Sequence, residues 1–244
     1  MRVVSEFGSL KPGKALSRTP VALGRPLDRH ISAVIVSSPP GLELPLHTHV
    51  QSDDFFIILK GTAAVVFEQN RKEVLRAGDS AWVPAGCPHG LCSGPRGVIE
   101  VGFQCPPDKA PLSLVGVRSR GLPLVQPAHL SAAPGTWSSL IGKRKSKIAV
   151  HVAKLRRGQT LSVRRHDTPS ILLVLTGGAI VGGHTLGALS LATLDPAAAA
   201  QITAIKPSTL LLRVAPTARP SNQASQRTGR RPAIHGRAPR VAGR

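Results

Sequence analysis

Apolar residues in this chain come in short bursts, broken by Pro, Gly, Asn and Asp. The run "ISAVIVSS" from Ile31 is β-branched and ends at Pro39-Pro40-Gly41. "LELPLHTHV" alternates, with Leu42, Leu44 and Leu46 set against Glu43, Pro45 and His47. "FFIILKG" closes at Gly61, and "TAAVVFEQN" turns at Asn70-Arg71. "EVLRAGDSAWVPAG" reads as two strands with a Gly-Asp turn between them, and "GVIEVGFQC" as a further strand before Pro106-Pro107. Bursts of this length, spaced about 8–12 residues apart with turn signals between, predict an all-β sandwich or barrel.

The rhythm weakens over residues 106–144, which are richer in Pro, Gly and Ser and carry "KRKSK" at 143–147, and it resumes in "KIAVHVAKL", "QTLSVRRH", "SILLVLTGG" and "STLLLRVAP". The pattern divides the chain into an arm over 1–30 with one edge strand, a barrel over 31–110, a connector over 111–144, a second all-β unit over 145–215, and a tail over 216–244. From Pro216 onward the sequence carries arginines, no acid and almost nothing large and apolar. Such a segment cannot bury enough surface to offset its ordering entropy, so a disordered basic tail is expected.

Composition sharpens this in three ways. Aromatics make up only 3% and Tyr is absent, so the core must rest on Val, Leu, Ile and Ala. The charge is lopsided: residues 1–110 hold 12 Lys/Arg against 10 Asp/Glu, whereas the remainder holds 20 Lys/Arg against Asp167 and Asp195 alone. A basic half raises nucleic acid, an anionic membrane or an acidic partner as candidates. Against nucleic acid, Trp137 is the only aromatic beyond residue 111, so stacking platforms are missing. The cysteines Cys87, Cys92 and Cys105 have neither disulfide-scaffold nor zinc-finger spacing. No apolar leader follows Met1 and no apolar run reaches the length that spans a bilayer, so a soluble, cytoplasmic protein is expected.

The chemistry concentrates in "GLELPLHTHVQSDDFF" at 41–56. Successive strand side chains alternate faces, so His47 and His49 project to one side. Histidine beside carboxylate can be a metal site, a proton relay or a polar loop. Asp54 begins the next strand and can return to the same place, while Asp53 is expected to face solvent. "GDSAWVPAGCPHG" then brings His89 after a Pro-rich turn. Three imidazoles and one carboxylate suit a divalent first-row metal with a coordination position left open.

These residues resemble the two motifs of the cupin superfamily. In the first, Gly41 is followed after five residues by His47-Thr48-His49, after four more by Asp54, and after six more by Gly61. In the second, Gly78 is followed after five residues by Pro84-Ala85-Gly86, after two by His89, and after three by Ser93. The family usually has Glu where Asp54 stands and Asn where Ser93 stands. The resemblance implies a double-stranded β-helix, or jelly-roll, barrel with a metal held inside by His47, His49, Asp54 and His89. Fe(II) or Mn(II) suits the hard and borderline ligands, with Zn or Ni also open. Cys87 is read as a thiol on the turn rather than a ligand.

The first motif has an echo: Gly158, then Arg164-Arg165-His166, then Ser170 and Gly177, at an offset of 117 residues from Gly41 and 116 from Gly61. That predicts two barrels in tandem, bicupin-like, the second with its ligands gone and so metal-free, because a guanidinium repels a divalent cation. The packing partner of the second barrel is then the first barrel or another copy in a homodimer. Functionally the resemblance implies a metalloenzyme acting on a small molecule, of dioxygenase, isomerase or lyase type. The alternative is a non-catalytic cupin that binds or senses a small molecule.

Overall fold

A computed structural model describes residues 1–6, 9–24, 27–68, 71–108, 124–127, 132–141, 146–163, 168–195 and 199–217. In chain order the strands are β1 (Arg2–Glu6), β2 (Ser17–Val21), β3 (Ser32–Ser38), β4 (Glu43–His47), β5 (Asp53–Phe67), β6 (Lys72–Arg76), β7 (Asp79–Val83), β8 (His89–Cys105) and β9 (Leu124–Pro127). They continue with β10 (Ser138–Ser139), β11 (Ile148–Leu155), β12 (Thr160–Val163), β13 (Ser170–Thr176), β14 (Gly178–Val181), β15 (His184–Gly187), β16 (Ser190–Leu194), β17 (Ala200–Ala204) and β18 (Thr209–Pro216). No helix among the described residues is long and apolar enough to cross a membrane.

Two jelly rolls emerge from the pairing. In the second half, β11-β18-β13-β16 form one sheet and β12-β17-β14-β15 the other. The first half has the same order, but two of its strands are long and bent and each serves both sheets. The start of β5 lies between β7 and the end of β8, while its later part pairs with β6 and with the start of β8. Gly61 makes that bend possible. It sits at φ +80°, and a Cβ there would lie 2.0 Å from the Gly97 carbonyl oxygen. Gly177, its echo, also sits at φ +80°, where a Cβ would lie 2.5 Å from the Thr209 hydroxyl. Any L side chain at either corner meets both a clash and a disfavoured backbone conformation.

Three apolar clusters explain the runs in the sequence. Phe56, Ile58, Val65, Val83 and Leu91 fill the first barrel, and Leu155, Leu172, Val174, Leu194 and Ile202 fill the second. The third cluster lies between them, where Ile35, Phe55, Ile57, Val101 and Phe103 meet Val150, Val152, Leu173, Leu212 and Val214. Strands β5 and β13 are thus buried on both faces, which is why "FFIILKG" and "SILLVLTGG" read as continuous apolar runs rather than alternating ones.

The segments expected to be plain connections also join the sheets. The arm over 1–30 supplies two strands: β2 extends the first barrel beside β3, but β1 crosses over and pairs with β16 of the second barrel. Within the connector, β9 pairs with β7 of the first barrel. At the other end, β18 runs through Pro216, and Thr217 donates its N–H to the Lys147 carbonyl and its hydroxyl to the Ser146 carbonyl. The basic tail is therefore preceded by two anchored residues that the sequence reading assigned to it. The rest of it, 218–244, and the Arg164-Arg165-His166 echo lie outside the described residues, as does most of "KRKSK".

Candidate metal centre

His47 ends β4, His49 follows it, and His89 opens β8, where it pairs directly with His47 across the ladder. A register shift between Leu44 and His47 inserts one residue into β4. Strict alternation would put Leu44 and His47 on opposite faces; with the bulge both line the barrel cavity. All three histidines are buried, and one ring nitrogen from each lies within 4.8 Å of the others.

Each imidazole is held from behind. His47 Nδ1 lies 2.9 Å from the Pro45 carbonyl oxygen, His89 Nδ1 lies 3.1 Å from that of Cys87, and His49 Nδ1 lies 2.8 Å from Asp108 Oδ2. Carbonyl and carboxylate oxygens only accept, so Nδ1 carries the proton in every case and the Nε2 lone pair is left free to ligate. Burial, with His89 next, pushes the His47 pKa down to about 4, so this ring is neutral at neutral pH, as a ligand must be.

Asp54 closes the group. Its Oδ2 lies 3.4 Å from His89 Nε2 and 3.6 Å from His49 Nε2. Burial alone would raise this carboxyl, but the proximity of His89, and then of His49 and His47, outweighs it and holds it below the usual carboxylate range. A carboxylate oxygen facing two lone-pair nitrogens is favourable only with a cation between them. The donor set therefore fits a divalent metal. Aspartate, although one methylene shorter than the family's usual glutamate, reaches the histidines.

Asp53 does not face solvent. Alternation does send it to the opposite face from Asp54, but that face is covered by the second half of the chain, and Asp53 is 2% exposed. Its Oδ1 accepts from the Ala85 N–H, and its Oδ2 accepts from Trp82 Nε1, the Ser146 hydroxyl and the Lys147 N–H. The Ala85 bond fixes the Pro84-Ala85-Gly86 turn, whose Gly86 N–H donates in turn to the His49 carbonyl. Asp53 thus braces the loop and the turn that carry two of the histidines. Cys87 is buried in the apolar cluster of the first barrel, outside the ligand group.

Sequence reasoning missed four polar residues here. Asp108 orients His49, and Gln104 Nε2 lies 3.4 Å from the same ring. Glu100 and Arg18 line the cavity, whose volume is about 200 Å³ and whose remaining wall is largely apolar, with Val34, Leu44 and Phe56 among its residues. Burial, and then the charge of Asp54, raise the Glu100 carboxyl from its ordinary 4.5 to about 8, against the opposing pull of Arg18. The available signal was a single acid inside the apolar run "GVIEVGFQC".

A family model described as a cupin domain matches residues 34–94. Among solved structures, a deletion mutant of oxalate decarboxylase from Bacillus subtilis superposes with a TM-score of 0.61 at 13% identity, covering 88% of this chain and 77% of that one. A cupin 2 conserved barrel domain protein from Leptotrichia buccalis gives a TM-score of 0.63 at 13% identity, covering 88% of this chain and 98% of its own. No curated protein sequence matches. Both motifs and the family model agree that residues 34–94 form a cupin domain, and the two jelly-roll strand orders agree with the structural likeness in fold.

Proposed function

We propose that the first barrel holds one divalent transition metal through His47, His49, Asp54 and His89, and that the protein is a metalloenzyme acting on a small molecule bound in the adjoining cavity. The observation that carries this is the geometry of the rings: each of three buried imidazoles has an oxygen acceptor behind its Nδ1, one ring nitrogen of each lies within 4.8 Å of the others, and the Asp54 carboxylate stands beside two of them. A bound ion would supply Lewis acidity and an open position for water, O₂ or a chelating substrate. The protein supplies a largely apolar cavity, fixes the rings and keeps Asp54 ionised.

Mn(II) or Fe(II) fits this nitrogen and carboxylate set. Likeness in fold to Bacillus subtilis oxalate decarboxylase, which has Mn(II) centres, favours manganese. Catalysis of dioxygenase, isomerase or lyase type rests on the open position, and a binding or sensor role is the rival. Elemental analysis after expression in manganese- or iron-replete medium is expected to show about one equivalent per chain. A trace amount would refute the metal site. Asp54→Asn keeps the size and removes the only charge among the four ligands, so metal affinity should fall at least tenfold. Asp54→Glu should retain it. Equal affinity in Asp54→Asn and the parent would mean that histidines alone hold the ion, and would favour the binding role.

A further inference from the structure

The cavity has a second polar end. Strands β2, β3 and β8 are neighbours, and Arg18, Val36 and Glu100 form one row across them: Arg18 pairs with Val36, which pairs with Glu100. All three line the cavity, so their side chains point the same way. Gln104 pairs with Asp54 at the histidine end, and Glu100 stands four residues away from Gln104 on β8, on the same face of the strand. Between the two ends the wall is apolar, formed by Val34, Leu44 and Phe56.

Glu100 is 7% exposed, and its Oε2 has no hydrogen-bond partner among the described residues. Leaving a buried polar atom without a partner is costly, and a site that a ligand completes is one reason for a fold to keep it. Arg18, largely exposed, brings a permanent positive charge to the same end. We propose that Arg18 and Glu100 bind the far end of a small, elongated carboxylate whose near end lies at the histidine cluster. Arg18 offsets the ligand's charge, and Glu100, kept protonated by its burial, donates its O–H to a ligand oxygen. A cavity of about 200 Å³ suits a small ligand such as a short-chain dicarboxylate or an oxo acid.

This inference rests on the metal-dependent reading for the near end of the ligand only. Its test is isothermal titration of the manganese-loaded protein with succinate, and with succinamide as the neutral control, alongside elemental analysis of every variant. Succinate should bind at least tenfold more tightly than succinamide. Arg18→Gln and Glu100→Leu should each weaken succinate about tenfold. Glu100→Gln keeps a donor and should stay within about threefold of the parent; it also serves where Glu100→Leu fails to fold. Metal content should be unchanged throughout. Stoichiometric metal with no binding of succinate, equal binding of succinamide, or succinate affinity indifferent to both positions overturns the inference and leaves the metal site standing. Loss of the metal site with succinate binding still dependent on Arg18 and Glu100 would do the reverse.

Discussion

Asp54 and Ser170 occupy the same place in two copies of one strand order. Asp54 pairs with Val83, an interior residue of the first barrel, and Ser170 pairs with Leu194, an interior residue of the second. Two residues on, Phe56 pairs with Gly102 in the first barrel, where Leu172 pairs with Arg213 in the second. The first barrel thus has a carboxylate beside a glycine that leaves space. The second has a hydroxyl that accepts from Arg213 Nε at 3.0 Å, with the arginine chain occupying the interior. The ladder that brings His47 opposite His89 ends in the second barrel at Val163 opposite Ala200. Strand order and corner glycines survive these exchanges because they depend on backbone geometry and apolar pattern. The chemistry depends on a few interior side chains, and those have been replaced.

The largest effect should follow from removing a ligand on one side of this comparison only. His89→Ala deletes one of three imidazoles and leaves Asp54 facing a single close nitrogen, so manganese affinity should fall by at least a hundredfold. Arg213→Leu in the second barrel should leave metal content at the parent level. Elemental analysis of both variants after identical loading decides the matter. Residual stoichiometric metal in His89→Ala would mean that the ion sits elsewhere.

Next comes the joint between the barrels. Asp53→Asn keeps the shape but turns acceptor capacity into a donor, so between one and three of its four hydrogen-bond donors lose their partner. Each costs about 1–3 kcal/mol, and unfolding free energy should drop by about 2–4 kcal/mol in denaturant titration. A change under about 0.5 kcal/mol would show that the joint is held by its apolar cluster alone.

Asp53 also marks where the sequence stopped being legible. Period two placed it correctly on the face opposite Asp54, but whether that face meets water depends on residues 146 and 147, nearly a hundred positions away. The crossing of β1 to β16 was hidden for the same reason, since one weak edge strand does not say which sheet it joins. The motif ligands could be read because their spacing is local to two hairpins, and the corner glycines because their backbone angles tolerate little else. In the second barrel β14, β15 and β17 are short and mix Gly, Ala and Thr with their apolar residues, too weak a period to count as strands. Glu100 was overlooked because a single acid in an apolar run reads as a flaw in the pattern before the cavity is known.

That residue distinguishes the two interiors by a pH effect. Its folded carboxyl sits at about 8 against an ordinary 4.5, so the folded state binds the extra proton between those values. The stabilisation of the protonated form is complete below about pH 4.5 and is lost as pH rises through 8. Glu100→Gln, permanently neutral, should therefore be more stable than the parent at pH 8, with the gap closing towards pH 5. Thermal melts of both proteins across that window test the sign. A parent at least as stable as Glu100→Gln across the whole window, with no pH-dependent gap, would show Glu100 ionised in the fold and paired with Arg18.

The smallest effect is expected where the comparison is pressed hardest, by writing the first barrel's carboxylate into the second. Ser170→Asp restores an acid at the position of Asp54. Among the described residues the imidazoles it would need are absent: Val163 and Ala200 stand on the ladder that carries His47 and His89 in the first barrel. Arg213 lies within hydrogen-bond reach of residue 170, and its guanidinium would take the new carboxylate as an ion pair. Both groups are buried, so desolvation and attraction should nearly cancel and stability should move by less than about 1 kcal/mol either way. Metal stoichiometry should not move at all. In the double variant Ser170→Asp, Arg213→Gly the cation is gone and the interior opens, yet no second equivalent is expected, because one carboxylate without imidazoles is too poor a site. A second tightly bound manganese in either variant would show that the residues outside the described structure, Arg164-Arg165-His166 among them, retain ligand capacity, and the difference between the barrels would then be one of a single side chain.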